Sequence, residues 1–334
     1  MRAYELQPRE GDPLTLVERP RPTLGPGEVR VRVRAVSLNY RDLNIAKGAK
    51  RRKAPLVPAS DGAGEVIELG PGVTRVAVGD RVAAAFFPTW LDGELSDYHH
   101  ANALGGTRDG MLAEEVVLPE AAWLKLPARL SFEEAATLPC AGVTAYHALF
   151  VAARVSPGDV VLVQGTGGVS IFGLQLAKAA GARVIVTSSS EAKRARAQEL
   201  GADHVIDYKA VPAWGEAARS WTGGRGIDVV IEVGGPGTFD QSVAALRYGG
   251  TMSILGVLTG MRGEVNTYGV FHKALRIAGI YVGSVAMFEG FLRAVEASRL
   301  APVIDRTFAF AEAREAYAYL ASAAHFGKVV VRLD

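Results

Sequence analysis

The chain has 334 residues, 49% of them hydrophobic and 22% charged, with 37 basic against 35 acidic side chains. This is globular composition, long enough for two domains with their own cores, and its near-neutral balance gives no general attraction to nucleic acid or anionic membrane. No apolar run reaches the roughly 18 residues of a membrane span, the start at Met1 lacks an apolar signal core, and the single Cys140 excludes intrachain disulfides and any cysteine-only metal site. The expectation is a cytoplasmic protein. Residues 1–125 read as mostly strand. From Val29 to Arg34 valines alternate with arginines, so Val29, Val31 and Val33 face inward and Arg30, Arg32 and Arg34 outward. Gly62 to Gly70, Val82 to Phe87 and Ala113 to Leu118 give further short strands between Gly/Pro turns, the pattern of a small barrel. Lys50-Arg51-Arg52-Lys53 has no aromatic or second basic stripe beside it and reads as a solvated loop. Phe86 to Gly110 is a long polar and aromatic loop with Phe87, Trp90 and Tyr98, suited to wall a planar substrate, and its adjacent His99 and His100 point apart and read as surface.

Near Leu130 the pattern changes. Ser131 with Glu134 forms a capping box for a helix to about Leu138, and a second helix runs from about Val143 to Ala153. Strands and helices then alternate from Val160 to Leu255, and Leu275–Tyr281 supplies a last strand. That alternation predicts a parallel sheet covered on both faces. The tail from Ala301 to Asp334 reads as irregular and strand-like, packing back on the N-terminal domain.

The centre of this pattern is Val160–Gln164 followed by Gly165-Thr166-Gly167-Gly168-Val169-Ser170 and an amphipathic run. A strand aims such a turn, its glycines let backbone N–H groups approach a pyrophosphate, and the helix N-terminus adds partial positive charge. Ser170 stands at the third glycine of the fingerprint. A ribose with a free 2′-hydroxyl calls for a carboxylate about 20 residues on, at the end of the second strand. That strand ends instead in Ser188, Ser189 and Ser190, with Lys193 and then Tyr208 following. Hydroxyls and a lysine attract a 2′-phosphate where a carboxylate would repel it, so the expected cofactor is NADPH. The competing reading, that the serines only cap the next helix, remains open here.

With the turn placed behind a barrel-like domain, the chain resembles the medium-chain dehydrogenase/reductase superfamily over nearly its whole length. The supporting text is Pro26 to Val31, Ser37-Leu38-Asn39-Tyr40-Arg41-Asp42, Gly62-Ala63-Gly64, Val78 to Val82, Ala135 to Tyr146, Gly165 to Ser170 and Gly327 to Val330. The resemblance implies an α/β chain: a Rossmann doubly wound parallel sheet plus a GroES-like β-barrel catalytic domain. Its expected boundaries are 1–125 for the catalytic domain, 126–268 for the NADP(H)-binding domain, and 269–334 for the last strands and the segment returning to the catalytic domain. Zinc alcohol dehydrogenases of this superfamily hold a catalytic zinc with a Cys, a His-Glu pair and another Cys. Here those positions read Asn39, Ser60-Asp61 and Cys140, and the stretch that would carry a four-cysteine structural zinc lobe has no cysteine. An open catalytic zinc wants three protein ligands, so no metal site is expected. The chain looks like the zinc-free branch, similar to quinone oxidoreductases and enone or enoyl-thioester reductases, where Lys193 and Tyr208 sit at the 2′-phosphate positions.

Without a metal to form an alkoxide, reduction of an activated C=C bond is the favoured chemistry. The resemblance places the reaction in the cleft between domains, at the carboxyl ends of the parallel strands. Asn39, Tyr40, Ser60 and Thr144 are the candidate catalytic residues: Asn39 and Thr144 orient cofactor or bound oxygen, and Tyr40 is the candidate proton donor. Gly234, Gly256 and Val257 line the nicotinamide and ribose side, with Gly283 and Ser284 added from the C-terminal segment. The family pattern implies a homodimer pairing through Ile277–Val282. Two other readings are an alcohol dehydrogenase with an atypical metal site and an NADPH-binding protein without turnover.

Overall fold

The computed structural model describes residues 1–333; Asp334, the end of the expected tail, lies outside the described residues. The chain divides into two units, one formed by Met1–Val143 and the stretch from Val282 onward, the other by Thr144–Tyr281. Residues 126–143, grouped by sequence with the nucleotide domain, thus pack with the first unit.

The first strands of the chain are β1 (Arg2–Leu6), β2 (Leu14–Glu18), β3 (Glu28–Leu38), β4 (Asp61–Leu69), β5 (Arg81–Ala84), β6 (Glu115–Pro119) and β7 (Trp123–Lys125). The middle of the chain gives β8 (Val160–Gln164), β9 (Arg183–Thr187), β10 (His204–Ile206), β11 (Ile227–Glu232), β12 (Leu246–Ile254) and β13 (Arg276–Gly279), and the tail gives β14 (Ile304–Ala309) and β15 (Lys328–Arg332).

In the first unit, β14, β15, β3, β4, β5 and β7 lie side by side in a seven-stranded sheet, with β6 also on β3; β1 and β2 form a hairpin. The long β3 organises this sheet because its valines supply one apolar face: Val29, Val31 and Val33 are buried, as the alternation predicts. Arg30 is not outward. It is only 6% exposed, because β4 and β6 flank it on both edges, and its guanidinium meets Glu68 at 2.7 Å and Glu115 at 3.6 Å. On β4, Gly64 lies against the Arg32 carbonyl, where a Cβ would collide with backbone. The Ser131–Glu134 capping box is formed in both directions, at 2.8 and 3.1 Å. The tail departs from the sequence reading, because Ala313–Ala321 is a helix that buries Ala313, Ala316, Tyr317 and Leu320 on one face.

In the second unit the strand order is β10-β9-β8-β11-β12-β13, and every neighbouring pair is parallel. β8 and β11 are buried throughout, the continuous apolar text expected of strands covered on both faces. Crossover helices include Gly168–Ala179 and Pro236–Ala245. This is the Rossmann order, in which direction reverses between β8 and β11 and a ligand crevice opens at their carboxyl ends. Among the described residues no helix is long and apolar enough to cross a membrane.

Candidate active site

The glycine turn is built as its sequence requires. Gly165 adopts φ +69°, a left-handed conformation that favours glycine, and its N–H donates to the Thr187 carbonyl at 2.8 Å. Gly167 is the N-cap of the helix Gly168–Ala179, so the orphan N–H groups of the first turn point beyond the end of β8. Gly165, Gly167, Gly168 and Val169 are half-buried, and Thr166 is buried. Ser170 is buried and its hydroxyl donates to the Gln164 carbonyl at 2.6 Å, which closes the turn. Close packing of helix on sheet falls to Gly173, where a Cβ would lie 2.7 Å from Ile231 Cδ1. Sequence reasoning put Ser170 at the third glycine of the fingerprint, the glycine that packs helix on strand, and missed Gly173.

At the end of β9 the three serines divide their tasks. Ser190 caps the helix Glu191–Glu199 by accepting from the Lys193 N–H. Ser188 is buried and Ser189 is exposed; neither is the cap. Tyr208 is exposed just beyond β10. The structure adds Arg194, which the sequence reading passed over. Its guanidinium donates to the Ser188 carbonyl at 2.8 Å and to the Asp207 carboxylate at 2.9 Å. Asp207 is held below the usual carboxylate range, first by the Ala210 N–H and then by Lys209 N–H and Arg194.

Gly234 and Gly256 stand in loops at the ends of β11 and β12. Thr259 ties these loops together: its hydroxyl donates to the Gly234 carbonyl at 2.8 Å and accepts from the Gly237 N–H at 2.9 Å. Val257 is 40% exposed beside them.

Asn39, Ser60, Asp61 and Cys140 come together in the first unit around a residue the sequence quoted only as part of its closing motif. Strand β15 runs antiparallel to β3 with Val329 opposite Leu38. This register brings Lys328 against the end of β3, where it is 3% exposed. Its Nζ donates to the Leu38 carbonyl at 2.7 Å and to Asn39 Oδ1 at 2.5 Å. An ammonium can only donate, so the oxygen of the Asn39 amide must face it. Asn39 Nδ2 makes no well-formed hydrogen bond, although the amide lies close enough to Asp61 to help hold that carboxylate down. The Asp61 carboxylate is fully buried; it accepts from the Ser60 hydroxyl at 2.7 Å and from the Cys140 N–H at 3.0 Å. Burial pushes Asp61 upward, while the Lys328 charge, the Ser60 hydroxyl, the neighbouring Asn39 amide and the Cys140 N–H draw it back. Burial, with the Asp61 charge next, raises the Cys140 thiol far above its ordinary range. Asp42 closes the cluster from the helix Tyr40–Lys47. It accepts from the Asn39 N–H at 2.8 Å, and burial raises it to about 6 against the opposing Arg41 charge.

These residues do not fit a zinc ion. The Asn39 oxygen accepts from the Lys328 ammonium, which leaves Asp61 and Cys140, fewer than the three protein ligands an open catalytic zinc wants. A second cation in the cluster would also meet the Lys328 charge in a low-dielectric setting. Among the described residues no group of three or more His, Cys, Asp or Glu side chains is arranged to hold a metal ion.

The remaining candidates are dispersed. Tyr40 is 46% exposed at the start of its helix, and Thr144 is buried. Gly283 and Ser284 belong to the first unit, and the Ser284 hydroxyl caps the helix Val285–Ser298 by accepting from Met287 N–H at 3.2 Å. In the long loop, Phe87 and Trp90 are core residues, at 0% and 3% exposure, so they do not present a wall to solvent; Tyr98, at 65%, does. Trp90 turns inward because its ring packs on Phe87 and its Nε1 donates to the Gly93 carbonyl at 3.0 Å.

Comparison with known proteins agrees with the fold of the two units. The alcohol dehydrogenase GroES-like domain family matches residues 25–128, and the zinc-binding dehydrogenase family matches residues 168–297. A zinc-type alcohol dehydrogenase-like protein of Schizosaccharomyces pombe is 47% identical over 93% of this chain and 92% of its own length. The solved structure of an NAD-dependent alcohol dehydrogenase superposes with a TM-score of 0.91 at 37% identity, covering 100% of both chains. That of the 2-octenoyl-CoA carboxylase reductase CinF, in complex with NADP and 2-octenoyl-CoA, superposes with a TM-score of 0.88 at 28% identity, covering 99% of this chain and 87% of that one. With a Rossmann-ordered sheet, a GroES-like domain and a glycine turn at the head of its first nucleotide helix, the chain belongs to the medium-chain dehydrogenase/reductase superfamily, in its enoyl- and quinone-reductase-like branch, and is an NAD(P)H-dependent oxidoreductase.

Proposed function

We propose that this oxidoreductase works without zinc and uses NADPH to reduce quinones, enones or related α,β-unsaturated carbonyls. The observation that carries the proposal is the buried Lys328 Nζ bonded to Asn39 Oδ1, Asn39 being where the resemblance implies a zinc relative's first ligand cysteine. NADPH, when bound, supplies a hydride for the β-carbon of the substrate, which shifts electron density onto the carbonyl oxygen. Asn39 and Thr144 orient the cofactor and that oxygen, and the exposed Tyr40 hydroxyl delivers the proton to the α-carbon.

For the cofactor, Gly165 to Val169 bind the pyrophosphate, and Ser188, Ser189, Lys193 and Tyr208 take the 2′-phosphate. The nearby Asp207 is paired with Arg194, which supports NADPH over NADH. A structural relative solved with NADP and an enoyl thioester supports both halves of the proposal, whereas relatives named as alcohol dehydrogenases favour alcohol oxidation as the second reading. An assay of NADPH and NADH consumption over enones, quinones and simple ketones tests the choice. Rapid NADPH-linked turnover of enones or quinones supports the proposal, and NAD-linked oxidation of a simple alcohol as the main activity sinks it.

The enzyme is further proposed to act in the cytoplasm as a homodimer. Strand β13 is the open edge of its sheet, with Ile277 at 41% and nearby Tyr281 at 44% exposure, and an exposed apolar edge favours pairing with a second copy. Sedimentation at micromolar concentration should give a dimer, and Ile277→Lys should give monomers. A wild-type monomer refutes the dimer.

A further inference from the structure

The end of β11 carries a buried acid that neither the glycine turn nor the proposed chemistry uses. Glu232 is 0% exposed and makes no ion pair with a basic side chain among the described residues. Burying a lone carboxylate is costly unless donors satisfy it. Here five donors converge. Gln164 Nε2 donates at 2.6 Å, the Thr238 hydroxyl at 2.5 Å, the Gly234 N–H at 2.8 Å and the Gly235 N–H at 3.0 Å. The Ser242 hydroxyl is the fifth. They divide between its two oxygens: Oε1 accepts from Thr238, Gly234 and Gly235, and Oε2 from Gln164 and Ser242.

The bond from Gln164 fixes which way its amide faces. Its Nε2 turns to Glu232, so its Oε1 turns to the loop, accepting from the Val233 N–H at 3.1 Å and the Gly234 N–H at 3.2 Å. Gln164 is also the last residue of β8, and its backbone carbonyl accepts from Ser170 beyond the glycine turn. A continuous chain of bonds therefore runs from Ser170 through Gln164 and Glu232 to Gly234 and Gly235. Thr259 carries it on to the loop after β12. It crosses the switch point between β8 and β11, where the two halves of a dinucleotide are held by different pieces of chain.

We propose that Glu232 is a positioning residue that holds the Gly234 and Gly256 loops in register with the diphosphate turn, so that a cofactor gripped at its diphosphate finds its nicotinamide end already housed. The proposal rests on the NADPH assignment above. Glu232→Gln keeps the shape but puts an NH2 group among five donors. Turning the Gln164 amide over removes the clash of donor with donor, and it releases the Val233 N–H and the longer of the two Gly234 N–H contacts. The loop loosens while the turn and the Ser188–Lys193 region stay intact.

The test is calorimetric titration of the wild type and Glu232→Gln with NADPH and with adenosine 2′,5′-bisphosphate, which carries only the adenine half. NADPH binding is expected to weaken on the order of 10- to 100-fold, the loss of one or two hydrogen bonds to a charged group. Affinity for the bisphosphate should stay within about twofold, the scatter of a residue outside its contacts. Thr259→Val breaks the tie between the loops without touching the buried acid, and should weaken NADPH alone by several-fold. Equal loss for both ligands, or unchanged NADPH affinity in both variants, overturns the proposal. Should Glu232→Gln not fold, the Thr259→Val result decides on the same terms. A wild type that binds neither ligand instead overturns the NADPH assignment, and the register proposal falls with it.

Discussion

Lys328→Met lowers the stability of the protein by about 3–5 kcal/mol, the range for removing one member of a buried charged network. Methionine fills nearly the same volume, so the loss is electrostatic rather than a cavity effect. Asn39 Oδ1 is left without a donor, the Leu38 carbonyl loses one, and Asp61 loses the nearest positive charge that opposes its burial. Each unsatisfied buried group costs about 1–3 kcal/mol. With nothing to hold the amide oxygen, Asn39 is free to turn over, and enone reduction by the folded fraction falls with it. Urea denaturation followed by fluorescence measures the first effect, and turnover in the absence of denaturant the second. A loss below about 1 kcal/mol, within the range of an ordinary surface substitution, would show that the ammonium is a bystander.

Ser189→Asp has the largest expected effect on cofactor choice. Ser189 is exposed at the end of β9, so a carboxylate is accommodated without repacking. It stands where the 2′-phosphate is expected, and replaces an attractive hydroxyl with like charge. The kcat/KM for NADPH should fall about 100-fold, corresponding to loss of charge-assisted bonds of 1.5–3 kcal/mol and added repulsion. The value for NADH should hold or rise, because a carboxylate accepts from a free ribose hydroxyl. Steady-state kinetics with both cofactors gives the ratio. An equal change in the two would mean that the 2′-phosphate lies elsewhere.

How much was legible in the sequence follows from how local each signal is. The glycine turn, the Ser131–Glu134 capping box and the alternating strands and helices of the second unit are short-range patterns, and the structure contains each. The misreading of Arg30 came from treating β3 as if one face were open; its partners Glu68 and Glu115 lie on two other strands, invisible to an alternation count. The tail helix had a readable stripe, Ala313, Ala316, Tyr317 and Leu320. It was faint because alanines give little contrast between faces. Gly173 carried a signal too, as a glycine inside a helical pattern. Lys328 did not. Its partner Asn39 lies 289 residues away, and only the β15–β3 register brings them together. Glu232 reads as an ordinary strand residue until Gln164, 68 positions earlier, is seen beside it. The departures of Asn39, Ser60-Asp61 and Cys140 from the zinc pattern were legible in the sequence; that Lys328 lies against Asn39 required the fold.

The most direct measurement is the fate of the hydride. Purified enzyme, dialysed against chelator and assayed for metal, would be given NADPH deuterated at the transferable position and an enone such as 2-cyclohexenone. The account predicts turnover at a zinc content far below one per chain, with deuterium at the β-carbon of a saturated ketone. Deuterium on the carbinol carbon of an allylic alcohol, or turnover only after zinc is restored, would contradict it.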